Sequence, residues 1–362
     1  MRRRELIKLL GGAAAVPLAG LLRANAQHSP PEAPQLPLDA HPAPAPPAPE
    51  PEPDVPLPPE RVRRIGVLMD AERRDRGAQE RFEALTEGLK AKGWVEGRNL
   101  KIEIRWAGDD DRRIRDYAAD LAELTPELLI GTDRDTAKAL LAAGGGMPVV
   151  FLNVVDPVGA GLVTTLERPG GGVTGLCLTE FGASTQWPEI IKRIAPNLMR
   201  VAIIQDPDVK PNQSQIAAIQ TVAPAIGLEA FGVDAKSFRE LERAVAGFSR
   251  TPNSGLIVGM AAPSRRERSA IVQLAARFKL PAIYADRLFV TAGGLISYGP
   301  DLKEQYRLAA GYADRILKGE KPADLPVQTP AKFTVAINLK TAKALGLTVS
   351  PGLREWADEV VD

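Results

Sequence analysis

The chain has 362 residues and carries 46 Lys+Arg against 45 Asp+Glu, a formal charge of +1. That balance lacks the basic excess of a nucleic-acid binder, and the single cysteine excludes an internal disulfide or a cysteine-based metal cluster. Charged residues at 25% and hydrophobic residues at 44% make an ordinary globular mixture, long enough for two or three domains.

The charge is unevenly spread: residues 1–27 carry +4, residues 28–60 carry −6 and the remainder +3. The first piece reads Arg2-Arg3-Arg4-Glu5-Leu6-Ile7-Lys8, then an apolar Gly/Ala-rich stretch over 9–22, then Ala24-Asn25-Ala26 before Gln27. A basic region, a short apolar region and a small-x-small site predict a secretory signal peptide over 1–26, cleaved before Gln27. It is twin-arginine-like, with Arg3-Arg4 as the pair. The apolar stretch is shorter than the roughly 20 residues of a spanning helix. The expected location is a bacterial periplasm. Residues 27–60 follow as a Pro-rich linker, with 14 prolines in the 33 positions of 28–60. Such a composition cannot bury enough apolar surface to fold and predicts a disordered, extended spacer.

Both histidines, His28 and His41, fall in these first 60 residues. Histidine-based acyl transfer and histidine metal sites are therefore excluded from the rest of the chain. No catalytic residue, metal or cofactor is expected.

From residue 64 short apolar runs alternate with amphipathic stretches. Ile65-Gly66-Val67-Leu68-Met69 predicts a strand ending at Asp70, and Phe82, Leu85, Leu89 and Trp94 mark a helix. Strands follow at 100–104, 128–130 and 148–152, with helices through 117–122 and from the caps Thr132 and Asp133 to 141. Asp156-Pro157 predicts a further helix start. After Gly170-Gly171-Gly172 the alternation resumes, with strands at 201–204, 228–233, 256–258 and 282–284, and helices at 213–226, 237–249 and 264–278. Strand-helix-strand repetition is the signature of parallel sheets covered by helices. No glycine run opens a strand-to-helix turn with phosphate-loop spacing.

The fold class expected is α/β, with two Rossmann-like lobes, parallel sheets and extended crossovers. Lobe 1 is expected over 61–178 plus about 290–325, and lobe 2 over 179–289. Residues 326–362 form a C-terminal crossover and tail of either lobe, and hinges are expected near 173–180 and 285–298. Ligands bind such sheets beyond the carboxyl ends of the strands. The candidate ligand-binding residues there are Asp70, Thr132, Asp133, Asn153, Asp156, Asp206, Asp286 and the crossover aromatic Tyr298. Thr132, Asp133 and Asp156 read equally well as helix caps. A ligand carboxylate would sit at the helix starts after Thr132 and around Asn153–Asp156. A ligand ammonium would pair with Asp133, Asp206 or Asp286, and Tyr298 would pack on the side chain. Cys177 and Trp187 read as core.

The residues also carry a resemblance. It rests on Arg64-Ile65-Gly66-Val67-Leu68, Gly93-Trp94 with Glu96-Gly97-Arg98-Asn99, and Asp156-Pro157-Val158-Gly159-Ala160-Gly161. Arg168-Pro169-Gly170-Gly171 with Val173-Thr174-Gly175, residues 291–301, and the run Ile337-Asn338-Leu339-Lys340-Thr341 continue it. Over about 64–349 the chain resembles the periplasmic substrate-binding proteins of ABC transporters, in the subfamily related to tryptophan/tyrosine-type binding proteins. Where members often carry small residues after the third strand, Thr132-Asp133-Arg134-Asp135 stands here. The resemblance implies a type I periplasmic-binding fold and a monomeric, non-enzymatic receptor. It would bind a small-molecule solute, an amino acid or small carboxylate, and deliver it to an ABC permease in the inner membrane. Two alternatives share the fold: a periplasmic sensor for a membrane signalling partner, and a carboxylate-dependent enzyme. A regulator's sensor domain is disfavoured because residues 1–60 offer no DNA-binding helix pair.

Overall fold

The computed structural model describes residues 61–362 apart from 109, 179–180, 206–209, 236 and 260–266. The expected signal peptide, the expected Pro-rich linker and Asp206 lie outside the described residues.

The first lobe opens with β1 (Arg63–Met69), α1 (Arg76–Ala91), β2 (Leu100–Trp106), α2 (Asp111–Glu123), β3 (Leu128–Gly131), α3 (Arg134–Ala143), β4 (Val149–Val154) and β5 (Val173–Cys177). These strands form one parallel sheet in the order β2-β1-β3-β4-β5. Both faces are covered, which is why β1, β3 and β4 read as continuous apolar runs. Alternation assigns the faces. Ile65, Val67 and Met69 pack with Leu85 and Leu89 of α1, whereas Leu68 packs on the other face with Leu121 of α2 and Leu140 of α3.

The second lobe contains α4 (Phe181–Ser184), α5 (Trp187–Ile194), β6 (Arg200–Gln205), α6 (Lys210–Val222), β7 (Glu229–Asp234), α7 (Phe238–Phe248), β8 (Ser254–Val258), α8 (Arg268–Arg277), β9 (Ala282–Tyr284), α9 (Arg287–Thr291) and β10 (Ile296–Pro300). The chain then returns to the first lobe for α10 (Leu302–Leu317). This helix lies against α1, and its Tyr306, Ala309, Ala310 and Ala313 complete the core begun by Ile65 and Leu85. It crosses once more to supply β11 (Phe333–Asn338), α11 (Leu339–Ala344), α12 (Pro351–Trp356) and β12 (Glu359–Val361). The second sheet has seven strands in the order β12-β11-β10-β9-β8-β6-β7, all parallel except that β11 and β12 run against the rest.

The sequence-based boundaries change in two places. β10 belongs to the second sheet, so the return to the first lobe begins after Pro300 and not near 290. Residues 285–298 accordingly run within the second lobe and are not a crossover. The tail over 333–362 belongs to the second lobe.

The lobes are joined by three passages, after Cys177, at 300–302 and at 328–332. They are bonded to one another. The Gln328 N–H donates to Gly175 O (3.0 Å) and the Cys177 N–H to Gln328 O (2.9 Å), while the Asp301 N–H donates to Lys332 O (3.0 Å). The Lys332 ammonium lies 2.7 Å from Asp301 Oδ2.

Candidate functional site

β1, β3 and β4 are neighbours in register, so the residues that follow their last turns come together at one sheet edge. Thr132 is fully buried. Its Oγ1 accepts the Asp70 N–H (2.9 Å) and donates to Asp70 Oδ1 (2.8 Å). Asn153 Nδ2 donates to Thr132 O (3.2 Å). Asn153 is itself buried, with a left-handed backbone (φ +55°), a conformation asparagine takes more readily than most residues. Its Oδ1 is buried without a hydrogen-bond donor.

Asp133 caps α3 with a reciprocal box. Its Oδ1 accepts the Thr136 N–H (2.8 Å), and Thr136 Oγ1 accepts the Asp133 N–H (3.0 Å). Burial pushes the Asp133 carboxyl up to about 7, helped by the negative charge of Asp70. Gly131 lets α3 begin this close to the sheet, because a Cβ there would stand 2.7 Å from the Ala137 backbone nitrogen.

The predicted carboxylate seats are not available at this edge. The Asp133 side chain already occupies the start of α3, so an anionic ligand would meet a competing carboxylate. No helix follows Asp156. Residues 157–161 form successive turns, and Asp156 Oδ1 accepts the Gly159 N–H (2.8 Å). The Asp-Pro sequence suits a turn as well as a helix start, and Gly159 and Gly161 favour the turn.

Asp286 is buried and caps α9 through the Leu288 N–H (2.9 Å). It borders a cavity of about 220 Å³ at the lobe junction, lined from the first lobe by Gly77, Arg81 and Lys303 and from the second by Asp286, Arg287 and Glu359, among others. Arg287 ties the walls together. Its Nη2 donates to Glu80 on α1 (2.8 Å) and its Nη1 to Glu359 on β12 (3.0 Å). Lys303 reaches the same Glu80 carboxylate at 2.7 Å. The hydrogen bond from Lys303, with the charges of Lys303 and Arg287, holds the Glu80 carboxyl below its ordinary value despite partial burial.

Tyr298 is engaged within the second lobe. Its ring stacks on Phe333 (5.5 Å between centroids) and on Trp356 (6.1 Å), and its backbone carbonyl accepts the Trp187 Nε1–H (2.8 Å). Cys177 and Trp187 are core residues, as expected. The predicted residues thus divide: Asp70, Thr132, Asp133 and Asn153 are joined in one cluster, and Asp286 stands at the lobe-junction cavity. Asp156 closes a turn, Tyr298 sits in an aromatic stack, and Asp206 lies outside the described residues.

Arg81 escaped the sequence reading. Its signal is a charged residue in phase with Ala78, Leu85 and Leu89, the buried stripe of α1.

Comparison with known proteins decides the family. Residues 74–361 match the family model for ABC transporter substrate binding protein. The chain belongs to the ABC transporter substrate-binding protein family. A protein named tyrosine-binding protein from Clostridioides difficile (strain R20291) is 25% identical over 265 residues, covering 72% of this chain and 74% of that one. The crystal structure of an ABC domain in complex with L-Trp from Streptococcus pneumonia superposes with a TM-score of 0.74 at 24% identity, over 83% of this chain and 100% of that one. A conserved domain protein from Vibrio cholerae superposes with a TM-score of 0.73 at 27% identity, with the same coverage. The two-sheet architecture is that of type I periplasmic-binding proteins. Members of the substrate-binding protein family bind small solutes and work with ABC permeases, generally outside the cytoplasm. Among the described residues no helix is long and apolar enough to cross a membrane.

Proposed function

We propose that the protein is the extracytoplasmic receptor of an ABC importer, binding a free amino acid between its lobes and delivering it to an inner-membrane permease. It acts as a monomer and reaches the periplasm through the signal peptide over 1–26, cut before Gln27. The observation that carries the binding role is the cavity walled jointly by both lobes. A solute held by two bodies joined through three bonded passages is enclosed when they close on it, the usual hinge-type response of such receptors. The ligand class draws on the relatives, one named for tyrosine and one solved with L-Trp. It also draws on the edge of the first lobe, where the unpartnered Oδ1 of Asn153 suits a hydrogen-bond donor on the ligand.

Thermal denaturation of the purified protein against each of the twenty proteinogenic L-amino acids tests this reading. A ligand at a hundredfold excess over its Kd raises stability by about 2.7 kcal/mol. One or a few amino acids should therefore raise the melting temperature by several degrees. A protein that melts identically with all twenty at millimolar concentration is not an amino-acid receptor.

A further inference from the structure

The amino-acid reading leaves the ligand's carboxylate without a partner at the strand-end edge of the first lobe. The Asp133 side chain fills the start of α3, and no helix begins at Asp156. The lobe-junction cavity holds the missing group. Arg81 is 8% exposed, makes no ion pair or hydrogen bond among the described residues, and has a buried Nε without an acceptor. A guanidinium is not neutralised at any physiological pH, so it stands there as an uncompensated buried cation.

Most other charges around the cavity have partners. Arg287 is bound to Glu80 and Glu359, and Lys303 to Glu80. Asp301 is bound to Lys332 and caps α10, and Asp358 accepts the Val335 N–H. On the acidic side Asp286 is the exception. It is 8% exposed, gives one oxygen to the Leu288 N–H, and pairs with no cation among the described residues. Arg81 and Asp286 line one cavity yet do not approach within the 4.0 Å of an ion pair. Two buried, uncompensated charges of opposite sign, held apart across a small space, are the complement of a zwitterion.

We propose that this cavity receives the backbone end of the amino acid, its α-carboxylate on the Arg81 guanidinium and its α-ammonium on the free oxygen of Asp286. The assignment rests on the amino-acid reading above and deepens it. Guanidinium matches a carboxylate with two parallel N–H bonds, which a lysine at the same position would not reproduce. Arg81 belongs to the first lobe and Asp286 to the second, so the ligand's own charges bridge the lobes.

The test is calorimetric titration of the wild-type protein and of Arg81→Met with three probes. These are the amino acid selected by the melting screen, its amine lacking the carboxylate (tyramine for tyrosine, tryptamine for tryptophan), and its acid lacking the ammonium. Wild type should bind the amino acid about tenfold to a hundredfold tighter than the amine, the loss expected for a charged hydrogen bond. Arg81→Met should lose that preference, binding the amino acid as weakly as the amine while leaving amine affinity unchanged. Asp286→Asn should weaken the amino acid and leave the acid unchanged. If Arg81→Met does not fold, the wild-type comparison still decides, because equal affinity for amino acid and amine overturns the assignment. An Arg81→Met protein that keeps wild-type affinity for the amino acid overturns it as well, and leaves the amino-acid reading standing. A wild-type protein that binds none of the twenty amino acids overturns both together.

Discussion

Asp133 shows how one residue answers to two demands. As the cap of α3 it accepts the Thr136 N–H, which favours the charged form, yet burial and the neighbouring Asp70 raise its carboxyl to about 7. An aspartate in an unfolded chain titrates near 3.9. Between about pH 4 and pH 7 the folded state therefore holds more protons here than the unfolded one. This group's contribution to stability is greatest below about pH 4, declines as pH rises through 7, and is constant above. Asn caps a helix as well as Asp does but does not titrate. Asp133→Asn should melt close to wild type at pH 4 and above it at pH 8, and parallel pH curves for the two proteins would contradict the assignment. The capping role was legible in the sequence, because Asp133 follows an apolar run and precedes an amphipathic one. The raised carboxyl was not, since it depends first on burial in the folded lobe and then on Asp70, 63 positions earlier, arriving at the same sheet edge. Arg81 shows the same limit. Its place in the apolar stripe of α1 is visible as a pattern, but its lack of a counter-ion emerges only when α1 meets the second lobe.

At the level of elements, alternating apolar and amphipathic runs were enough to find every strand of the first sheet up to β4 and the strands β6 to β9. β1, β3, β4, β8 and β9 are short buried runs, whose local patterning reports burial directly, whereas β2 and the largely exposed β7 show as alternating β-prone stretches. The assignment of elements to lobes was harder. β10 follows a glycine-rich turn and looks like a connection, but its backbone pairs with β9 on one side and β11 on the other. Pairing between distant segments leaves no local trace. The same holds for Asp156-Pro157, where the following glycines turn the chain before a helix can start. A sharper element-scale expectation concerns Gly131 at the end of β3. Any Cβ there would stand 2.7 Å from the nitrogen and 2.8 Å from the Cα of Ala137, both backbone atoms of α3 that cannot rotate away. Gly131→Ala should therefore push α3 from the sheet at about 1–3 kcal/mol, and chemical denaturation should show a lower midpoint with an unchanged slope. A midpoint equal to wild type would mean that the helix backs off without resistance.

For the whole molecule, the expected address is testable without knowing the ligand. The precursor should be exported through the twin-arginine route, so replacing Arg3 and Arg4 by lysine should leave uncleaved precursor in the cytoplasm, visible on fractionation. Efficient export of the double variant would point to a different secretory route. That route carries folded cargo, and the order of the chain makes completion of the fold a late event. The core of the first lobe opens at Ile65 but is closed by Tyr306, Ala309 and Ala313 of α10. More than 200 residues, including most of the second lobe, are synthesised between α1 and the helix that packs against it. At about 5–20 residues per second, the apolar side of α1 and β1 waits roughly 10–45 s on the ribosome for its cover. The N-terminal lobe of this protein is thus the first to be made and among the last to be sealed, and through that interval it is a natural client for a holding chaperone.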